Sequence, residues 1–294
     1  MGVVGVGVAW LLARPGGPDP SSALRVLADW LGATTLGLGL LRTDLFPVRS
    51  RPPVWREIAI TAAAWTLVEG ALLATAAAES FGGGIGSLSI SSFGTFLTGI
   101  NVGQLGLVTV ACTAAACVYA TAAYRQGRDS STVPVVVLAV IALVARPITG
   151  HMSQQPFGAI FVAVHIVAAS VWLGVLTAMA VTLRSRGAWT AHLPIFSRCA
   201  WWSVWILAVS GTVNAAVKIG SVGGLVDTGY GRIVLAKTLL LVVLVLLARR
   251  LRATWLVSVA AHRTKADEST VRAAMHVCIL TGAFGLAAAL ATTA

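Results

Sequence analysis

The chain has 294 residues, of which 57% are hydrophobic and only 11% charged, with a net charge of +11, a pI near 10.8 and a mean hydropathy of +0.87. A soluble domain carries about 25% charged residues, so this composition excludes an ordinary soluble enzyme, a secreted disulfide scaffold and a disordered tail. The basic residues stand between long apolar runs rather than on one soluble patch, which points to a lipid bilayer as the partner and away from nucleic acid.

Apolar runs bounded by charges, Gly or Pro predict helices over residues 1–13, 23–41, 58–78, 96–123, 133–145, 157–183, 200–217, 233–248 and 273–291. At 1.5 Å per residue, eight of these approach the length that crosses about 30 Å of hydrocarbon. The run at 133–145 reaches it only by extending past Arg146. The run at 1–13 is short and lacks the basic start of a signal peptide, so it reads as a shallow or partial span. The expected fold class is an all-α, polytopic transmembrane helical bundle of 8 or 9 spans, forming a single transmembrane domain.

Charge orients the bundle. Alternate loops collect Arg42, Arg49, Arg51, Arg56, Arg125, Arg128, Arg184, Arg186, Arg198, Arg249, Arg250, Arg252, Arg263, Lys265 and Arg272, fifteen in all. The other set holds Arg14, Arg25, Arg146, Lys218 and Arg232, with Lys237 inside a span. The positive-inside rule places the fifteen in the cytoplasm and the C-terminus outside. On the outer side, the Gly/Ser-rich loop 80–92 is expected to pack against the mouth of the bundle. The loop PITGHMSQQP at 147–156 carries His151 and Met152 between two prolines. A weak echo links TGINVGQLGLV (98–108) with TGYGRIVLAK (228–237), the kind of repeat that can mark a site between duplicated halves.

Few residues carry chemistry. His192 and His262 fall in cytoplasmic loops, where solvation is expected. His276 and Cys278 lie two apart near the start of the last span, about 200° around a helix, and so form no chelate by themselves. His151 lies just outside the membrane, and His165 sits about 12 Å into the span that starts near residue 157. An ionisable side chain within a membrane helix faces a cavity, a partner or an ion. Imidazole is the commonest metal ligand, and the Met152 thioether suits Cu(I). Glu69 lies mid-span, where a carboxyl is paired or neutralised. Asn214 and Lys218 share a helix face, and Lys237 lies deeper; a Glu69–Lys237 pair is one arrangement that sequence alone does not decide. Cys112, Cys117, Cys199 and Cys278 give no metal motif and no expected disulfide. Trp10, Trp30, Trp55, Trp189 and Trp255 fall near estimated interfaces, as an aromatic belt predicts, with Trp201 and Trp202 as further anchors. No nucleotide-binding or hydrolase fingerprint appears in a suitable setting, so no enzymatic activity is expected.

The stretch 149–252 resembles the CopD copper-resistance family of bacterial membrane proteins. The residues that carry the resemblance are TGHM (149–152), HIVAASVWLG (165–174), FSRCA (196–200), SGTVNA (210–215) and DTGYGRIVLAK (227–237). The first half resembles the actinobacterial branch more loosely, which divides the chain into weak halves, 1–146 and 147–294, the second matching the CopD-type region. The resemblance implies a multi-pass protein of the bacterial plasma membrane that binds copper ion outside and mediates its uptake or transfer from the periplasmic side. A periplasmic copper carrier or an oxidase assembly factor is the implied partner. It places the family's metal histidines on His151 and His165, beside Met152, and its Trp-x-Gly on Trp172 and Gly174. Val175 stands where the family often has a second Gly. Glu69, Trp172, Asn214, Tyr230 and Lys237 are the pathway or packing candidates. Two rivals stand beside this reading: a redox or assembly protein in which His165 is an axial ligand of haem b, and a non-catalytic structural subunit of a membrane complex.

Overall fold

The computed structural model describes residues 2–12, 21–48, 52–127, 130–145, 147, 158–219, 227–261 and 265–292. These residues form helices joined by short links, with no strand among them. In chain order the helices are α1 (Gly2–Leu12), α2 (Ser22–Leu40), α3 (Trp55–Ser80), α4 (Ile90–Gly99), α5 (Asn101–Gln126), α6 (Val133–Ala145), α7 (Gly158–Thr182), α8 (Arg186–Ile219), α9 (Gly229–Leu251), the short α10 (Val257–Ala260) and α11 (Ala266–Thr292). A π-helical turn, Arg252–Leu256, joins α9 to α10. Among the described residues α3, α5, α7, the first 28 residues of α8 and most of α11 are long and apolar enough to cross a membrane.

The register of the neighbours follows from specific contacts. Thr35 of α2 accepts or donates across to Thr61 of α3 at 3.0 Å. Three residues earlier, Gly32 lies against the Trp65 indole, so the two helices run antiparallel. Gly39 faces Val135 and Val136 at the start of α6, while Gly32 faces Leu143 near its end, which makes that pair antiparallel too. Cys117 of α5 donates to the Ala59 carbonyl of α3 at 3.7 Å, and Gly106 meets Leu73.

Two seams depend on missing side chains. A β-carbon on Gly37 of α2 would strike the Gly174 backbone of α7, and one on Gly174 would strike the Ala33 carbonyl. Ala33 and Gly37 are one turn apart, the small-xxx-small spacing that lets membrane helices touch through their backbones. Where the family pattern often continues with Gly, Val175 is fully buried beside this crossing. The second seam joins the two ends of the chain. Gly5 of α1 faces the Gly282 carbonyl of α11, and Gly285 faces the Gly2 carbonyl. Gly2 and Val6 both rest on Val26, in the second turn of α2. At 11 residues α1 is about 16 Å long, roughly half the hydrocarbon thickness.

Several expectations change here. The run 96–123 is not one helix: Ile100 is extended, with φ −118° and ψ 126°, and breaks it into α4 and α5. The two pieces fold onto each other, Gly103 lying against the Phe96 carbonyl and the Gln104 amide donating to the Thr98 carbonyl at 2.6 Å. The loop 80–92 packs on the bundle only through Leu88, which rests on Leu73, Ala77 and Phe96; residues 79–87 are exposed, held by their own turn around Ile85–Ser87 and by the Ser89 N-cap of α4. In the echo between 98–108 and 228–237 each Thr-Gly pair stands at the entry to a long helix, α5 or α9, but the entries differ. Thr98 ends α4, whereas the Thr228 hydroxyl accepts from Gly231 N–H and caps α9. The helix expected over 200–217 begins fourteen residues earlier, and this extension carries His192 into the core. Its stripe of Trp189, Leu193, Phe196 and Ala200 is apolar at helical spacing and buries itself against the neighbours.

Tryptophan placement is also corrected. Trp55, Trp189 and Trp255 are buried in the core rather than ringing an interface. Trp189 packs on Trp255 at 5.7 Å between centroids, and Trp255 donates to Ser269 of α11. Trp55 meets Tyr119 edge to face at 5.9 Å between centroids, with Arg42 over its ring. Trp201 and Trp202, expected as anchors, are exposed, as is Trp205. Trp10 has no described side chain.

Candidate metal centre

His165 projects from the second turn of α7, seven residues and about 10 Å beyond Gly158. Its Nδ1 lies 2.9 Å from the Ser210 hydroxyl of α8. The ring passes over Gly211, where a built β-carbon would stand 3.4 Å from Cε1. The antiparallel packing of α7 and α8 across the short link 183–185 brings these positions level. Ser210 itself donates to the carbonyl of Ile206, one turn back on α8. Thus the histidine of HIVAASVWLG meets the first two residues of SGTVNA, two motifs far apart in the chain.

Below this pair, an apolar groove of about 790 Å3 runs between α6, α7 and α8, lined in part by Ile141, Val164, Val167, Trp202 and Ile206. Cys199 and Ser203 are the polar side chains on its wall. Trp172 is buried seven residues beyond His165 on α7, about two turns further, at the level of the Gly174 crossing.

Glu69 is buried midway along α3, and its Oε1 accepts from the Trp65 indole N–H at 3.1 Å. This bond lies within one helix rather than across two. His151 and Met152 lie outside the described residues, as does His262. Asn214 lies on α8, and Tyr230 and Lys237 on α9, with side chains outside the described set. Among the described residues no three His, Cys, Asp or Glu side chains are grouped to hold a metal ion.

The other histidines differ from expectation. His192 is buried, not solvated: its Nδ1 is 2.8 Å from the Ala188 carbonyl and its ring stacks on Phe46. His276 is buried at the edge of the core with Nδ1 3.2 Å from the Arg272 carbonyl, while Cys278 points outward, as a 200° separation requires. All four cysteines are free.

Residues 9–156 match the model of the N-terminal domain of copper resistance protein D-like proteins, and residues 190–294 match that of copper resistance protein D. The chain belongs to the CopD copper-resistance family. It is a multi-pass membrane protein of that family, linked by it to copper resistance. No curated protein and no solved structure matches the chain. His151 falls at the end of the N-terminal match in CopD, and Ser210, Gly211, Asn214 and Tyr230 fall within the second. His165 and Trp172 lie in the interval between them. Sequence reasoning quoted Ser210 only as part of a motif. Its contact with His165 needed the α7–α8 register, which no local pattern carries. The Trp65–Glu69 bond did have a sequence signal, the i, i+4 spacing on one helix.

Proposed function

We propose that this CopD-family protein takes copper from the outer side of the membrane and passes it toward the cytoplasm. His151, Met152 and His165 supply the entry ligands, one thioether and two imidazoles, a set suited to Cu(I). The observation that carries the reading is a histidine held inside a membrane helix by a hydrogen bond to the neighbouring helix, in a chain of a copper-resistance family. Glu69 and Asn214 line the route, Trp172 braces α7 beside the entry, and Tyr230 and Lys237 flank it from α9. The bundle crosses the membrane eight or nine times as one transmembrane domain of two weak halves, with its C-terminus outside. A periplasmic copper carrier delivers the ion.

His151→Ala combined with His165→Ala is expected to remove copper from the purified protein and to lower cellular copper. Unchanged metal content and unchanged cellular copper overturn the assignment. An absorption spectrum on the same sample separates the haem reading, since a Soret band on the purified protein would make His165 an axial ligand instead.

A further inference from the structure

The outward face of α8 carries a single charge among aromatic rings. Ala191, Pro194, Arg198, Trp201, Trp202 and Trp205 recur at intervals of three or four and are all exposed, so they form one stripe along the helix. With 34 residues, about 51 Å, α8 is longer than the hydrocarbon requires. No charged residue stands between Arg198 and Lys218, a stretch of about 28 Å that matches the hydrocarbon thickness. Arg198 therefore stands at the membrane interface, on the side that the positive-inside rule assigns to the cytoplasm. The three tryptophans follow within about 10 Å along the axis, on the hydrocarbon side.

Trp202 is also a wall of the groove between α6, α7 and α8. Cys199, next to Arg198, and Leu45, in the link after α2, line the groove near this end, and Val167 and Val164 of α7 continue it toward the other side. The link that supplies Leu45 holds Arg42, Arg49 and Arg51 against Asp44, so the local balance is positive. The volume of about 790 Å3 lies within the usual range of ligand sites, about 300–1,000 Å3. A helix about 10 Å across would fill that volume over only about 10 Å of its length, or two turns, whereas a hydrocarbon chain is thin enough to run along all of it. An apolar groove open to the bilayer with a cation at its interfacial end complements an anionic amphiphile. We propose that this groove holds an acyl chain of an anionic phospholipid of the inner leaflet, with Arg198 on its phosphate and Trp202 packed against the chain. Anionic lipid is favoured by about fivefold for each basic side chain at the surface.

The test uses the full-length protein in phosphatidylcholine nanodiscs that contain a small fraction of phosphatidylglycerol with brominated chains. Quenching of Trp202, read as the difference between the parent and Trp202→Phe, is expected to saturate at a low fraction of that lipid. Phosphatidylcholine with the same brominated chains is expected to need about fivefold more for the same quenching. Arg198→Gln is expected to abolish the preference. Ala163→Phe, which fills the groove from α7, is expected to abolish saturable quenching by either lipid, and Leu67→Phe, on the exposed face of α3, to leave both unchanged. Equal quenching by the two lipids in the parent overturns the role of Arg198. Quenching that rises in proportion to the lipid fraction, or that is the same in Ala163→Phe, overturns the groove as the site. A Trp202 protected from both lipids means that another molecule, such as a second copy of the chain, covers the groove, and overturns the proposal.

Discussion

Glu69 shows how a carboxyl is accommodated at depth. It lies fourteen residues into α3, about 21 Å from the start of that helix. A polar group there costs free energy unless a donor meets it, and the Trp65 indole is one such donor. Trp65 can lie flat between α3 and α2 because Gly32 has no β-carbon to meet its ring. Trp65→Phe keeps most of the packing and removes the N–H. It is expected to lower stability by about 1–2 kcal/mol, the cost of leaving a buried acceptor short of a donor. Thermal unfolding of the purified variant in detergent checks this, and an unchanged midpoint would mean that Glu69 does not depend on that bond. Arg42 is a second case of local accommodation. Its guanidinium sits 5.9 Å from the Trp55 ring and donates to the Pro52 carbonyl, so a charge at the bundle end is held by aromatic and backbone groups.

At the scale of elements, the crossing of α2 and α7 is the contact with least tolerance. Gly174→Leu would place a side chain on the Ala33 carbonyl, backbone against backbone. Overpacking typically costs about 1–3 kcal/mol, and here neither wall can rotate away. The expected outcome is a protein that unfolds at markedly lower temperature. Gly70→Ala on α3 is the control, since nothing lies within 4 Å of its β-carbon, and it is expected to be neutral or slightly stabilising, by up to about 1 kcal/mol. Most helices were legible from apolar runs: the run at 133–145 coincides with α6, and those over 23–41 and 157–183 lie within a few residues of α2 and α7. Hydropathy failed where amphipathic character replaced it. The start of α8 contains Arg186, His192 and Arg198, so it resembles a loop, yet one buried stripe makes it a helix. The break at Ile100 was illegible for a different reason: the extended residue is apolar, and the hydrogen bond that fixes the corner comes from Gln104, four residues on. Similarly, His165 was found from its cost in lipid, whereas Ser210 was not, because a small hydroxyl in a membrane helix is cheap and common.

For the whole molecule, the described contacts bring together helix ends that carry many of the basic residues. Phe46, which follows α2, stacks on His192 near the start of α8. Trp189 at that start packs on Trp255, and Trp255 bonds Ser269 near the start of α11. Arg42, Arg56, Arg125, Arg186, Arg250 and Lys265 all lie at these helix ends. The positive-inside rule puts this end in the cytoplasm, so a reporter fused after Ala294 is expected to be active only outside; a cytoplasmic signal would invert the bundle. The glycine seam between α1 and α11 has a consequence for biogenesis. α1 leaves the ribosome long before α11, so it can rest on Val26 of α2 from the start. Its glycine seam forms only when α11 has been inserted. The seating of α1 between α2 and α11 is therefore complete only once the last helix of the bundle is in place.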